Sequence, residues 1–129
     1  MMKVSKLEFK NLLLIEPDIH IDSRGCFIES FRKDILFEYL KKEFVQDNLV
    51  ESNKGVLRGL HFQLDNPQDK LVQVLDGEIF DVAVDIRKKS STYGKWFGMS
   101  LSCKNKKQLL VPAGYAHGYC VLSETAKVL

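Results

Sequence analysis

The stretch that decides the fold runs from Lys70 to Arg87 and reads KLVQVLDGEIFDVAVDIR. After Gly77, apolar and polar residues alternate with the period of a β-strand, and a second apolar run precedes Asp76. Asp-Gly accepts the positive φ angles of a tight turn that matches the twist of paired strands. The stretch therefore predicts two antiparallel strands joined as a hairpin.

The second predicted strand has one wholly apolar face and one face with two aspartates. The apolar face holds Phe80, Val82, Val84 and Ile86, and the other holds Asp81, Ala83 and Asp85. One face is therefore expected in the core, and the other in water or along a cavity. Alternating aspartates are typical of the polar side of a strand, so neither is assigned a catalytic role.

The rest of the chain repeats this pattern of short strands separated by turns. Strands are predicted at residues 96–101, 108–111 and 118–122, with turn residues between them. One helical pattern interrupts them near residues 34–43, where Asp34 can cap the first turn. This arrangement predicts a mainly β sandwich or barrel with one short helix.

Length and charge exclude several classes of protein. The chain has 129 residues, which predicts a single domain over residues 1–129. Nineteen Lys and Arg against seventeen Asp and Glu give a net charge of +2, too balanced for nucleic acid or an anionic membrane as the main partner. Three unclustered cysteines and an opening without an apolar run predict a cytoplasmic protein.

Two short segments carry polar side chains where the pattern expects burial. Arg58 and His61 lie among apolar residues in VLRGLHF, residues 56–62, and His117 follows the rigid turn that begins at Pro112. A buried charge needs an opposite charge beside it or a role in binding or catalysis, because leaving it unpaired costs several kcal/mol. Taken alone, His61 could be a core histidine with structural partners and Arg58 an ordinary ion pair.

The turn PAGYAHG, residues 112–118, resembles the second motif of the cupin jelly roll. A metal-binding cupin usually supplies two histidines and a carboxylate from its first motif, which suit Fe, Mn or Zn. Here that position reads His61-Phe62-Gln63, so the ligand set is incomplete. We therefore expect no catalytic metal.

The whole chain resembles the dTDP-4-dehydrorhamnose 3,5-epimerase family. Motifs similar to those of the family follow in order from about residue 16 to the end. They are DSRGCFIESF (22–31), FVQDN (44–48), GVLRGLHFQ (55–63), KLV (70–72), GEIFDVAVDIR (77–87), TYGKW (92–96) and PAGYAHG (112–118).

The resemblance implies a cupin-type jelly roll and a cofactor-independent epimerase. Its substrate would be a nucleotide-linked 4-keto-6-deoxy sugar in the formation of dTDP-rhamnose or a related sugar of surface polysaccharides. Protons next to a ketone are weakly acidic, so a base must remove them while a cation stabilises the enolate. By motif position, His61 resembles the base and Lys70 a substrate-binding lysine that could stabilise the enolate, while Arg58 could clamp the diphosphate.

The resemblance also implies further substrate-binding residues and a partner. The remaining positions that match the family's nucleotide-sugar site are Arg24, Phe27, Glu29, Gln46, Asp47, Asn48 and His117. In the family, Arg24 and Glu29 would lie on an N-terminal segment that reaches the neighbouring subunit's site. A homodimer is therefore expected.

The resemblance ends before the family's last motifs. Family members continue with a tyrosine that acts as the catalytic acid and an aspartate that orients the histidine. Tyr115 and Tyr119 belong to the motif around His117 and do not match that acid. We therefore expect a C-terminally truncated epimerase domain; the alternatives are a catalytically impaired nucleotide-sugar binding module or a related sugar ketoisomerase.

Overall fold

Twelve strands and one helix make up the computed structural model, which describes residues 1–129. In chain order they are β1 (Lys3–Lys6), β2 (Leu13–Glu16), β3 (Ile19–Asp22), β4 (Gly25–Ile28), α1 (Lys33–Leu40), β5 (Val50–Asn53), β6 (Leu57–His61), β7 (Lys70–Asp76), β8 (Glu78–Asp85), β9 (Trp96–Ser102), β10 (Gln108–Val111), β11 (Tyr115–Val121) and β12 (Thr125–Val128).

Two antiparallel sheets pack face to face and enclose the core. The larger sheet has the order β1-β2-β10-β7-β12-β5, and the smaller has the order β6-β11-β8-β9. Val72 and Leu109 from the larger sheet pack with Ile79, Leu101 and Val121 from the smaller. Strands β3 and β4 form a separate two-stranded sheet. The predicted mainly β sandwich with one short helix is confirmed.

The hairpin predicted around Asp76-Gly77 is wrong, although both of its strands exist. Strand β7 pairs with β10 and β12, whereas β8 pairs with β11 and β9, so the turn joins two different sheets. Gly77 has a φ of 79°, and a Cβ there would collide with the Thr125 carbonyl oxygen. The turn signal specifies the reversal of the chain. Which strands pair is decided by the core instead: Val72 on β7 and Ile79 on β8 are buried in the same core from opposite sheets, so the two strands cannot pair with each other.

The assignment of the aspartates to a polar face is also wrong. Strand β8 alternates as predicted, but Asp81 and Asp85 lie on its buried face, and both are fully buried. Asp85 is held there by Arg87, whose Nη2 donates to Oδ2 at 2.9 Å, and by the hydroxyls of Ser90 and Thr92. A buried carboxylate is tolerated when its lone pairs are occupied in this way.

The helix is shorter than predicted and covers the outer face of the larger sheet. It begins at Lys33 after an Arg32 N-cap and ends at Leu40, because Lys41 adopts a left-handed conformation with φ 56°. Leu36 is 2% exposed and packs with Leu13, Ile15 and Leu110. With eight residues, this helix is too short to span a membrane.

The outer face of the smaller sheet is apolar and has no such cover. We call it the open sheet face. The register places on it Leu57, Phe80, Val82, Val84, Trp96 and Cys120. Leu57 is 73% exposed and Trp96 is 60% exposed. Phe80, Val82, Val84 and Cys120 between them are half-buried. An uncovered apolar face of this kind is typical of an interaction site.

Replacing Asp85 with asparagine is expected to lower the free energy of unfolding by about 3 kcal/mol at neutral pH. Burial raises the pKa of Asp85, but hydrogen bonds from Arg87, Ser90 and Thr92 outweigh it and hold the pKa below its ordinary value. Because the pKa of Asp85 is lower in the folded than in the unfolded state, its carboxylate stabilises the fold at pH values above the unfolded pKa of about 4. That stabilisation is lost as the pH falls below this value. Urea unfolding should therefore show the gap to wild type narrowing as the pH falls below about 4.

The exposed Asp65 provides the matched control for that measurement. Asp65→Asn should unfold like wild type across the same pH range. A stability gap for Asp85→Asn that stays constant down to about pH 3 would contradict the electrostatic explanation.

Candidate active site

A cavity of about 880 Å³ opens between the two sheets. Its wall includes inner residues of β7, β11 and β12 together with the segment that follows the helix. It brings together five of the predicted site residues: Gln46, Asp47, Asn48, Lys70 and His117.

The segment that carries Gln46, Asp47 and Asn48 is tied to the start of β7. Lys42 pairs with Asp69 at 2.9 Å, and the Asp69 carboxylate also accepts from the Ala113 backbone N–H at 2.8 Å. Gln46 Nε2 donates to Asn48 Oδ1 at 3.0 Å. Lys70, directly after Asp69, starts the strand whose inner face continues as Val72 and Val74. The Asp69 carboxylate, which is 11% exposed, thus links the segment after the helix and the turn before His117 to the start of the strand that carries Lys70.

His61 and His117 lie on neighbouring strands and face the same side of the sheet. The register of β6 against β11 places His61 opposite His117 and Arg58 opposite Tyr119. Between these two pairs, β6 has one residue more than β11. Directly opposite residues of an antiparallel pair share a face. Strand β6 is the edge of its sheet, and His61 and Arg58 are exposed there. Neither lines the cavity; the wall residues opposite them on β11 are His117 and Tyr119.

Two glycines allow β6 and β11 to approach closely at this point. A Cβ on Gly118 would lie 2.6 Å from the Arg58 carbonyl oxygen, and a Cβ on Gly59 would lie 2.5 Å from that of His117. Both approaches are to backbone atoms, which cannot swing away as a side chain can. The absence of side chains here therefore keeps the two histidine-bearing strands in contact.

A buried carboxylate supports His117. The Nε2 of His117 lies 2.6 Å from Oδ1 of Asp81, and Asp81 is fully buried. Burial raises the pKa of Asp81, whereas the contact with His117 and the charge of Lys70 act in the opposite direction. The second oxygen, Oδ2, has no partner. The pair fixes the orientation of the His117 ring at the cavity wall.

Arg58 is oriented by a contact with the opposite sheet. Its Nε donates to Ser52 Oγ at 2.9 Å. Ser52 lies on β5, the edge strand of the larger sheet, and is 9% exposed. The two terminal nitrogens of Arg58 donate to no protein group, so they are free to bind an anion.

Arg24, Phe27 and Glu29 are not brought to this cavity. Arg24 is 88% exposed and pairs with Asp22 at 2.6 Å. Glu29 pairs with Arg32 at 3.0 Å, and the Phe27 ring is largely exposed. Arg24 lies in the turn between β3 and β4, Phe27 on β4 and Glu29 just after it, and these two strands pair with neither main sheet. The assignment of Arg24 and Glu29 to a neighbouring subunit's site, and of Phe27 to substrate binding, stays a prediction.

Comparison with known proteins identifies the family. The family model for dTDP-4-dehydrorhamnose 3,5-epimerase matches residues 6–129. The dTDP-4-dehydrorhamnose 3,5-epimerase of Shigella flexneri is 54% identical over 129 residues, which cover 98% of this chain and 71% of that protein.

Two solved structures share the fold. A dTDP-6-deoxy-D-glucose-3,5-epimerase from Legionella pneumophila, in complex with dTDP-4-keto-L-rhamnose, superposes with a TM-score of 0.94 at 50% identity and covers 99% of this chain and 69% of its own. The Bacillus anthracis dTDP-4-dehydrorhamnose 3,5-epimerase, with TDP and PPi bound, has a TM-score of 0.93 at 47% identity. That match covers 99% of this chain and 75% of the Bacillus anthracis chain. The chain therefore belongs to the dTDP-4-dehydrorhamnose 3,5-epimerase family, the isomerases that serve dTDP-rhamnose biosynthesis.

Proposed function

We propose that the cavity between the sheets binds a dTDP-linked 4-keto-6-deoxy sugar and that His61 removes a proton next to its ketone. The observation that carries this proposal is the pairing of β6 with β11, which places His61 opposite His117, and His117 lines the cavity together with Lys70. Relatives with 50% and 47% identity bind dTDP-4-keto-L-rhamnose, and TDP with PPi.

At each carbon that is inverted, the proposed reaction breaks one C–H bond and forms another. A neutral imidazole at His61 takes the proton from the carbon beside the ketone, and the electron pair of that bond moves into the carbonyl to form an enolate. The Lys70 ammonium stabilises the enolate oxygen, with a stronger effect in a cavity that excludes water. A proton from solvent water returns to the opposite face and inverts the carbon, and His61 releases to solvent the proton that it took. The oxidation state does not change, so we propose no cofactor.

Arg58 and the polar segment would hold the nucleotide. The planar guanidinium of Arg58 presents two terminal nitrogens, which suit a pair of phosphate oxygens. Gln46, Asp47 and Asn48 supply amide and carboxylate groups along the cavity wall, where they can bind hydroxyls or the base. His117, held by Asp81, is proposed to contact the sugar.

A second copy of this chain is the proposed partner. It would cover the open sheet face, which the chain itself leaves exposed, whereas the helix covers the corresponding face of the larger sheet. In such a dimer the separate β3–β4 sheet, with Arg24, Phe27 and Glu29 on or beside it, would reach the neighbouring cavity. The proposed location is the cytoplasm, which is supported by the three free cysteines.

Incubation with dTDP-4-keto-6-deoxyglucose in deuterated water tests the reaction directly. Deuterium should appear at the carbons that flank the ketone, as followed by proton NMR. Binding of dTDP without any deuterium uptake would instead identify a catalytically impaired binding module. Migration of the carbonyl to a neighbouring carbon would identify a ketoisomerase.

Replacing Lys70 with methionine should slow deuterium uptake about 100-fold, because the enolate loses its stabilising charge while the side chain keeps its length. Lys127→Met is the matched control, since Lys127 is exposed on β12 and pairs only with Glu51 at the surface. Equal exchange rates in the two variants would remove Lys70 from the mechanism.

A further inference from the structure

The contact between Ser52 and Arg58 joins the free edges of the two sheets. Arg58 is on β6, the edge strand of the smaller sheet, and Ser52 is on β5, the edge strand of the larger. The hydrogen bond from Arg58 Nε to Ser52 Oγ is 2.9 Å long. Ser52 is 9% exposed, while Arg58 itself is exposed. A mostly buried hydroxyl therefore holds the inner end of an otherwise accessible guanidinium.

Binding through Nε restricts the direction of the remaining nitrogens. The guanidinium is planar, so a hydrogen bond at Nε limits rotation of the plane about the end of the side chain. The N–H groups of the two terminal nitrogens, which donate to no protein group, are then held in a fixed plane. A bidentate contact with phosphate oxygens needs this plane to be fixed, because both donors must be aligned together.

Tyr119 closes the other side of the contact. It lies opposite Arg58 in the register of β11, and its hydroxyl is buried and has no hydrogen-bond partner. Burial raises the pKa of Tyr119, while nearby Arg58 and Ser52 lower it to a smaller extent. The phenol therefore remains uncharged and does not compete as an anion for the guanidinium.

We propose that Ser52 is a positioning residue for nucleotide binding, whose hydroxyl holds the Arg58 guanidinium in the orientation that receives the diphosphate. This inference rests on the proposed role of Arg58 and adds a residue whose own side chain is not required to touch the ligand. Ser52 acts on affinity for the phosphates and not on proton removal, which belongs to His61.

Calorimetric titration with dTDP tests the inference with two variants of nearly equal shape. Threonine keeps the hydroxyl at position 52, and valine replaces it with a methyl group, so the steric effect of the added carbon is common to both. Ser52→Val should bind dTDP about tenfold more weakly than Ser52→Thr, because one hydrogen bond to a charged group is lost. Ser91→Val, in an exposed turn, should bind like wild type.

Two further measurements separate positioning from a general loss of structure. In an Arg58→Ala background, the Thr and Val variants should bind dTDP equally, because the group that Ser52 orients is absent. Thymidine, which has no phosphate, should bind the Thr and Val variants equally when followed by ligand-observed NMR. A Thr-to-Val difference that persists without Arg58, or that extends to thymidine, would overturn the inference. If Arg58→Ala itself binds dTDP like wild type, the proposed function of Arg58 fails first.

Discussion

Replacement of His61 with asparagine is expected to reduce deuterium uptake from solvent into the 4-keto sugar by about 1000-fold. Asparagine has similar volume and can still donate and accept hydrogen bonds, but it cannot take up a proton at neutral pH. The measurement is proton NMR of the nucleotide sugar in deuterated water, with the loss of signal at the carbons beside the ketone followed over time.

The same variant should retain its affinity for dTDP, because the proposed phosphate and nucleotide contacts come from Arg58 and the polar segment of residues 46–48. Calorimetry with dTDP therefore serves as the control for folding and binding. If His61→Asn exchanges as fast as wild type, the base is another residue. If exchange and dTDP binding disappear together, His61 supports the site and its catalytic role is not established by this variant.

Replacement of Val82 with lysine is expected to convert a dimer into monomers. Val82 lies near the middle of the open sheet face, where the register places it opposite Gly98 on one side and Gly118 on the other. Neither glycine can cover a charge introduced there. Burying an unpaired ammonium in an apolar interface costs several kcal/mol, enough to dissociate an interface of ordinary size.

Sedimentation velocity at tens of micromolar protein distinguishes the two states. Ser91→Lys introduces the same charge into an exposed turn away from this face, and it should remain dimeric. Monomeric wild type, or a dimer that survives Val82→Lys, would show that the open sheet face does not join two copies. The proposal that β3 and β4 reach the neighbouring cavity would then need another interface.

The sequence pattern predicted the strands well and their partners poorly. Alternation and turn residues depend on local chemistry, which is why β8, β9 and β10 lie close to their predicted positions. Pairing depends on which apolar faces meet after the chain has turned. The Asp-Gly signal is the same in a hairpin as in a turn between sheets, so it could not reveal that β7 and β8 lie on opposite sides of the core.

The candidate site residues came from the family resemblance and not from spacing alone. Of these residues, His117 and Lys70 line the cavity, whereas no signal in the sequence identified Asp81 and Ser52. Asp81 seemed to belong to a polar face, and only the register of β8 against β11 shows that it lies beneath His117. Ser52 sits six residues before Arg58 in the chain, a spacing that has no meaning until two sheet edges are known to meet.

The turn at Asp76-Gly77 also affects how the chain can fold. Its two flanking strands do not pair with each other, so neither gains a neighbour when that reversal forms. Strand β7 must wait for β10 and β12, and β8 for β9 and β11, all of which follow later in the chain. Because each strand pairs with strands far along the chain, the mean sequence separation of contacting residues, the contact order, is raised, and a higher contact order slows folding. During synthesis on the ribosome, the apolar strands of residues 70–85 are exposed until the segment up to residue 128 has emerged.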